Sequence, residues 1–194
     1  MKPLSAPVRL LAAILAAASA PLALKAQEYE SFEARQCHPL DLTGSVLLAV
    51  NSPKGSLAVF DLVAGVPVFR TEIPVGVEPV SVRARSATEA WVVNEVSDSI
   101  SIVDLEDGLV QATLQTPDEP SDVIFVDDVA VVSCARSNLL RVLDATSHAE
   151  VAVIPLMGSY PTSLALSPDG SKLYASFLLS GNGTTTLAPD RAPA

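Results

Sequence analysis

The sequence predicts an all-β repeat fold, and three observations lead to this conclusion. Prolines recur with a period of about 41 residues, at Pro39, Pro79, Pro120 and Pro161. A second marker, two apolar residues followed by an aspartate, recurs at nearly the same spacing and ends at Asp61, Asp104 and Asp144. After residue 27, no stretch shows the sustained apolar period of 3.6 residues that indicates helices.

Each repeat unit divides into four short strands. In the second unit the strands are predicted at 80–85, 90–95, 99–105 and 109–115, where valine, isoleucine and leucine are frequent. Turn residues separate such runs, as in Ser-Pro-Lys-Gly at 52–55 and Ser-Pro-Asp-Gly at 167–170. Four strands in about 41 residues is typical of one blade of a β-propeller. The sequence therefore predicts four-stranded antiparallel blades.

The units define the domain organisation. After a lead-in at 27–38, the blades are predicted at 39–78, 79–119 and 120–160, with a partial blade at 161–187 and a Pro/Ala-rich tail at 188–194. About three and a half blades make an incomplete ring with two open edges. We expect the chain to be a fragment or an early-terminated version of a longer protein. The alternative is a homodimer in which two copies close one ring.

The N-terminus is predicted to be a cleaved signal peptide covering residues 1–26. Residues 10–20 form an apolar run that follows Lys2 and Arg9, and 11 residues are too few to cross a bilayer core. The preferred cleavage site lies between Ala26 and Gln27, because Pro21 blocks the earlier small-residue site. An uncleaved membrane anchor is the alternative. We therefore expect a secreted or periplasmic protein with no membrane span after cleavage.

The recurring motifs resemble the YVTN-type β-propeller repeat. Residues 90–94 (AWVVN) and 48–51 (LAVN) stand where that family has its Tyr-Val-Thr-Asn signature, and residues 167–175 (SPDGSKLYA) add to the match. The resemblance covers residues 39–187. It implies a ring, typically of seven blades, so three and a half blades depart from the family pattern. The Trp-Asp and Gly-His marks of WD40 repeats are absent from the sequence.

Composition excludes one class of partner. The formal net charge is −10 and no basic cluster is present, so nucleic acid, which requires neutralised phosphates, is not expected as a partner. Only 18% of the residues are charged and 49% are hydrophobic, which excludes a disordered acidic tail.

The candidate ligand rim consists of the residues that directly precede the four repeat prolines: His38, Glu78, Glu119 and Tyr160. If same-position residues of successive blades converge around an axis, these side chains line one end of it. Propellers place ligand sites at that convergence, so we predict a binding rim for a protein or small-molecule ligand by analogy of fold. The alternative is that these loops only turn the chain.

No catalytic, cofactor or metal site is predicted. Cys37 and His38 lack the first cysteine of a haem attachment motif. Cys37 and Cys134 are a candidate disulfide, with a buried free thiol at Cys134 as the favoured alternative. The three repeated aspartates are predicted to accept backbone hydrogen bonds in turns rather than to bind calcium.

The predicted function is that of an extracytoplasmic binding or scaffold module. Whether the chain is an enzyme is left open, and the lack of a catalytic constellation argues against it. Two rivals remain, both implied by similar architectures. One is the propeller part of a c-type cytochrome-associated redox protein, and the other is part of a lactonase- or dehydrogenase-like enzyme.

Overall fold

A computed structural model describes residues 35–179, and in it the chain forms antiparallel sheets that follow one another along the sequence. The predicted signal peptide, most of the lead-in and the tail lie outside these residues. Sheet I contains β1 (Leu40–Thr43), β2 (Val46–Asn51), β3 (Ser56–Val63) and β4 (Val66–Pro74). A 3₁₀ turn over Ser52–Lys54 joins β2 to β3.

The next sheets repeat this order. Sheet II contains β5 (Pro79–Ala84), β6 (Glu89–Asn94), β7 (Ser99–Asp104) and β8 (Leu109–Gln115). Sheet III contains β9 (Pro120–Val126), β10 (Val129–Cys134), β11 (Leu139–Asp144) and β12 (Glu150–Pro155). Sheet IV has two described strands, β13 (Ser159–Leu166) and β14 (Leu173–Leu179). The predicted end of the partial blade, 180–187, lies outside the described residues.

This arrangement confirms the predicted fold class. The chain forms successive meander sheets of a β-propeller, and the ring is not closed. Each strand of sheet II lies within one residue of its predicted bounds. No helix in the described region is long and apolar enough to cross a bilayer.

The core lies between consecutive sheets. One cluster joins sheets I and II and includes Leu48 and Leu57 on one side and Val92 and Val103 on the other. A second cluster joins sheets II and III, and Trp91, which is fully buried, is its largest member. A smaller cluster around Leu164 joins sheets III and IV. The second strands of sheets II and III, β6 and β10, are covered on both faces, and each carries a run of four apolar residues.

The repeated aspartates act mainly in turns, as predicted. Asp104 Oδ1 accepts backbone hydrogen bonds from Glu106 at 2.8 Å and from Asp107 at 2.9 Å. Asp144 Oδ1 accepts the equivalent bond from Thr146 N at 3.0 Å. These bonds satisfy backbone N–H groups that the turn leaves unpaired.

Asp61 is an exception to this pattern. Its carboxylate pairs instead with Arg70 Nε, at 3.0 Å from Oδ2. Arg70 occupies the β4 position that is skipped in the pairing with β3, between Thr71↔Val59 and Phe69↔Phe60. The bulge at Arg70 was not predictable from the aspartate spacing.

A buried carboxylate, Asp122, ties three sheets together near their inner strands. Ser81 Oγ of sheet II donates to its Oδ1 at 2.7 Å, and Arg83 Nη2 donates to its Oδ2 at 2.9 Å. Leu164 N of sheet IV also donates to Oδ2, at 2.9 Å. Asp122 is fully buried, so its charge is compensated by Arg83 and by hydrogen bonds from three directions.

We predict that Asp122→Ala destabilises the fold by about 3–5 kcal/mol, because it leaves the Arg83 guanidinium and two inner-strand donors without their acceptor. Urea unfolding followed by circular dichroism measures the change. Glu106→Ala, at an exposed turn position of sheet II, is the control and is expected to change stability by less than about 0.5 kcal/mol. Equal effects of the two substitutions would contradict the role assigned to Asp122.

Candidate functional site

The predicted rim residues occupy equivalent positions, with one exception. Glu78, Glu119 and Tyr160 all adopt the left-handed conformation, with φ of 51°, 54° and 57°. A non-glycine residue in this region costs on the order of 1–2 kcal/mol and persists only where surrounding contacts enforce it. His38 lacks this conformation and instead forms a parallel bridge with Ser81.

Hydrogen bonds from the neighbouring sheet hold the rim backbone in place. Glu119 N donates to Asp98 Oδ1 at 2.9 Å, and Tyr160 N donates to Asn138 Oδ1 at 2.8 Å. Asp98 and Asn138 are themselves left-handed turn residues at the same position of sheets II and III. The carbonyl of Glu78 accepts from Glu95 N at 2.9 Å. The turns at Asp98 and Asn138 therefore position Glu119 and Tyr160 in the same way, whereas Glu78 is held by a backbone bond from sheet II.

Acidic side chains dominate the rim around Glu95, a half-buried residue that the sequence analysis did not single out. Burial raises the pKa of Glu95, Arg35 opposes this rise, and the negative charges of Glu119 and Glu78 add to it. Arg35 Nη2 lies 3.6 Å from Glu95 Oε1. In the sequence, Glu95 could have been identified as a candidate by its position directly after the AWVVN motif.

Tyr160 and Glu119 share a basic neighbour, Arg136. Its Nη1 lies 3.3 Å from Glu119 Oε1, and its Nε lies 3.4 Å from Asp118 Oδ2. Arg136 is 62% exposed, so these pairs contribute little to stability. Their effect is to place a mobile cation next to the acidic rim.

A groove of about 430 Å³ lies beside Glu78, between the 52–55 turn of sheet I and the 74–78 connector to sheet II. This volume is within the range of small-molecule sites. Gly76 in its wall has no room for a side chain, because a Cβ atom there would lie 2.5 Å from both Asn94 Cγ and Ser97 Oγ. Gly76 N donates to Asn94 Oδ1 at 3.1 Å, so the connector packs directly against sheet II.

His38 faces the inner strands rather than the acidic rim. Its backbone pairs with β5, donating to Val80 O at 3.2 Å and accepting from Val82 N at 2.9 Å. Its Nε2 atom is buried and has no hydrogen-bond partner among the described residues, and Asp41 Oδ1 lies 3.9 Å away. Burial lowers the pKa of His38, the nearby positive charge of Arg83 lowers it further, and Asp122 and Asp41 oppose this effect.

Cys37 and Cys134 are both free thiols in the structure, so the candidate disulfide is not formed. Cys134 is fully buried in the core between sheets II and III, and Cys37 is half-buried beside β5. Burial raises the pKa of Cys134 to about 12 and that of Cys37 to about 11. Both thiols are therefore poor nucleophiles at neutral pH.

No group of three or more His, Cys, Asp or Glu side chains within residues 35–179 converges to hold a metal ion. Chemically, the arrangement offers carboxylates and a half-buried groove for non-covalent binding.

We predict that both cysteines resist thiol reagents in the native protein. At pH 8 the thiolate fraction is small because the pKa values of both side chains are raised. Ellman titration is expected to be slow before denaturation and to count two thiols after unfolding without reductant. Fast native reaction would contradict the burial of these side chains, and fewer than two thiols in the unfolded chain would reveal a disulfide.

We predict that His38 contributes to loss of stability in acid. The pKa of His38 is lower in the folded than in the unfolded chain, so its contribution is present above about pH 6.5 and is lost as the pH falls through the folded value. His38→Gln is expected to lose less stability than wild type between pH 7.5 and pH 5, as measured by urea midpoints. A wild-type pH dependence in His38→Gln would contradict this role.

Comparisons with known proteins establish the fold and not a family. No family model matches the chain, and no curated protein matches it. Among solved structures, hydrazine synthase of Kuenenia stuttgartiensis is similar, with 23% identity and a TM-score of 0.69 over 82% of this chain. The match covers 46% of that protein, so this chain spans about half of its length.

Two further solved structures have similar architecture. A protein of Bacteroides uniformis assigned as a 6-phosphogluconolactonase matches with 18% identity and a TM-score of 0.60, over 68% of this chain and 47% of that one. Dihydro-heme d1 dehydrogenase NirN matches with 24% identity and a TM-score of 0.50, over 57% of this chain and 25% of that one. At these identities the likeness shows the β-propeller fold alone.

Proposed function

We propose that this chain is an extracytoplasmic binding or scaffold module that recognises a ligand at the rim formed by Glu78, Glu119 and Tyr160. His38, the fourth residue of the predicted rim, is left out because its backbone pairs with β5. The observation that carries the proposal is the left-handed conformation that Glu78, Glu119 and Tyr160 share. Side chains of the preceding sheet hold Glu119 and Tyr160, whereas the Glu78 carbonyl accepts a backbone bond from Glu95 of sheet II. Each of the three residues directly precedes a repeat proline. Rigid strands with functional loops are a common basis for recognition.

The ligand class that the rim charge favours contains a cationic group. Burial raises the pKa of Glu95, Arg35 opposes this rise, and the negative charges of Glu119 and Glu78 add to it, so three carboxylates lie near one another at the rim. An amine or guanidinium group bound between these carboxylates would relieve the repulsion and displace Arg136 from Glu119. The groove beside Glu78 offers space for the rest of such a ligand.

The test is calorimetric titration of the purified protein with spermidine as the probe. The variant Glu78→Gln/Glu119→Gln is expected to bind about tenfold more weakly, because two charge-assisted contacts are lost. The matched control is Glu106→Gln/Asp107→Asn, which removes the same charge from an exposed turn of sheet II. It is expected to change affinity by less than about twofold.

Equal weakening in both variants would mean that spermidine responds only to net charge, and the rim would then have no binding role for cations. No binding by the wild type would have the same consequence. Either result would leave the fold assignment intact, because that rests on strand topology.

Membership in the YVTN-type family and export by the N-terminal segment belong to the same proposal. The recurrence of the degenerate motifs supports the first, and the apolar run at 10–20 supports the second. The module is further proposed to be part of a longer propeller, or to pair with a second copy of itself.

A second candidate is the propeller part of a redox protein or of a lactonase- or dehydrogenase-like enzyme. The similar structures favour this candidate, because hydrazine synthase and a dihydro-heme d1 dehydrogenase are among them. Reading the gene beyond Ala194 tests it. A Cys-x-x-Cys-His motif downstream would support the redox role, and further blades without such a motif would argue against it.

A further inference from the structure

Sheet I carries an uncovered apolar face. We call the face of a sheet that is turned toward the preceding sheet its leading face, and the opposite one its trailing face. On sheet II the leading face includes Val82, Val92 and Val103, which are fully buried against sheet I. The strand register identifies the equivalent residues of sheet I as Leu40, Ala49 and Phe60.

The same register applies to sheet III. There the equivalent leading-face residues are Val123, Val132 and Leu143, all fully buried against sheet II. Thus each of these positions is apolar in three consecutive sheets. In sheet I, which has no described sheet before it, Leu40 is exposed and Ala49 and Phe60 are only half-buried.

The exposed area on sheet I is unusually apolar. Leu40 is 55% exposed, Leu42 is 60% exposed and Phe69 is 59% exposed. Phe69 packs edge-on against Phe60, with ring centroids 5.8 Å apart. A contiguous apolar surface of this kind marks an interaction site, since isolated exposed apolar residues do not form aromatic pairs.

Sheet IV, the last sheet that the structure describes, carries the complementary trailing face. One register position there is occupied by Leu48, Trp91, Val131 and Tyr174 in sheets I to IV. The first three residues are at most 6% exposed, whereas Tyr174 is 56% exposed. Leu178, four residues further along β14 and on the same face, is 59% exposed.

We infer that the leading face of sheet I binds the trailing face of sheet IV in a second copy of this chain. A second copy is the occupant that the register supports, because the chain itself stacks trailing faces on leading faces between its own sheets. Two copies make two identical contacts and bring eight sheets together, which is within the range of closed propellers. The inference does not depend on the rim ligand.

The first test is light scattering of the full chain as processed by its expression host. The expected result is a particle with twice the mass of one chain. A monomer would overturn the inference and would mean that blades of another polypeptide segment cover the face. An open series of higher oligomers would also overturn it, because the contact would then fail to close a ring.

The second test uses one substitution on each face. Phe69→Arg on the leading face and Tyr174→Arg on the trailing face are each expected to give monomers, with unchanged circular dichroism since both side chains are exposed. Val96→Arg, in the exposed β6–β7 turn, is the matched control and is expected to remain dimeric.

Mixing the two arginine variants distinguishes this contact from other pairings. A mixed pair retains one unmodified leading-to-trailing contact, so the mixture is expected to recover dimers at a concentration where each variant alone is monomeric. If Tyr174→Arg alone stays dimeric, or if mixing recovers nothing, leading-to-trailing closure is wrong.

Discussion

Face-to-face stacking of consecutive sheets is the constraint on which this structure depends. A single four-stranded sheet with two apolar faces cannot bury both by itself, so each sheet requires a neighbour on either side. Sheet II meets this requirement with Val92 on one face and Trp91 on the other, both fully buried. Sheet I has a described neighbour on one side only, and on its other face Phe69, which packs against Phe60, is 59% exposed.

Stacking brings the inner strands close together, and polar groups there require partners. Asp122 meets this need for three sheets, since its two oxygens accept bonds from Ser81, Arg83 and Leu164. Such a carboxylate fixes the relative position of the sheets more specifically than apolar contacts, which are not directional. The apolar clusters therefore supply the driving force for stacking, and Asp122 sets the register of sheets II to IV.

The proposed ligand rim and the two apolar faces, which are the leading face of sheet I and the trailing face of sheet IV, use different residues of one fold. The rim residues are charged or polar, half-buried and held by turns of the neighbouring sheet, which suits recognition of a small polar group. The leading face of sheet I and the trailing face of sheet IV are apolar. Their residues occupy the same register positions as those that pack between neighbouring sheets, which suits the addition of another sheet. The proposed assembly contact and the proposed rim site use different residues, Tyr174 and Glu78 among them, so the two proposals can be tested independently.

The sequence by itself determined the period and the four-strand unit, because turn residues and apolar runs act locally. The strands of sheet II and the turn roles of Asp104 and Asp144 could be predicted in this way. Three features could not be predicted: the pairing of Asp122 with Arg83, the burial of Glu95 and the pairing of Asp61 with Arg70. Each depends on which atoms of different strands or sheets meet in the fold, and no local sequence pattern contains this information. Only the tertiary structure could decide that Tyr174 is exposed where Leu48 and Trp91 are buried, because burial depends on whether another sheet follows.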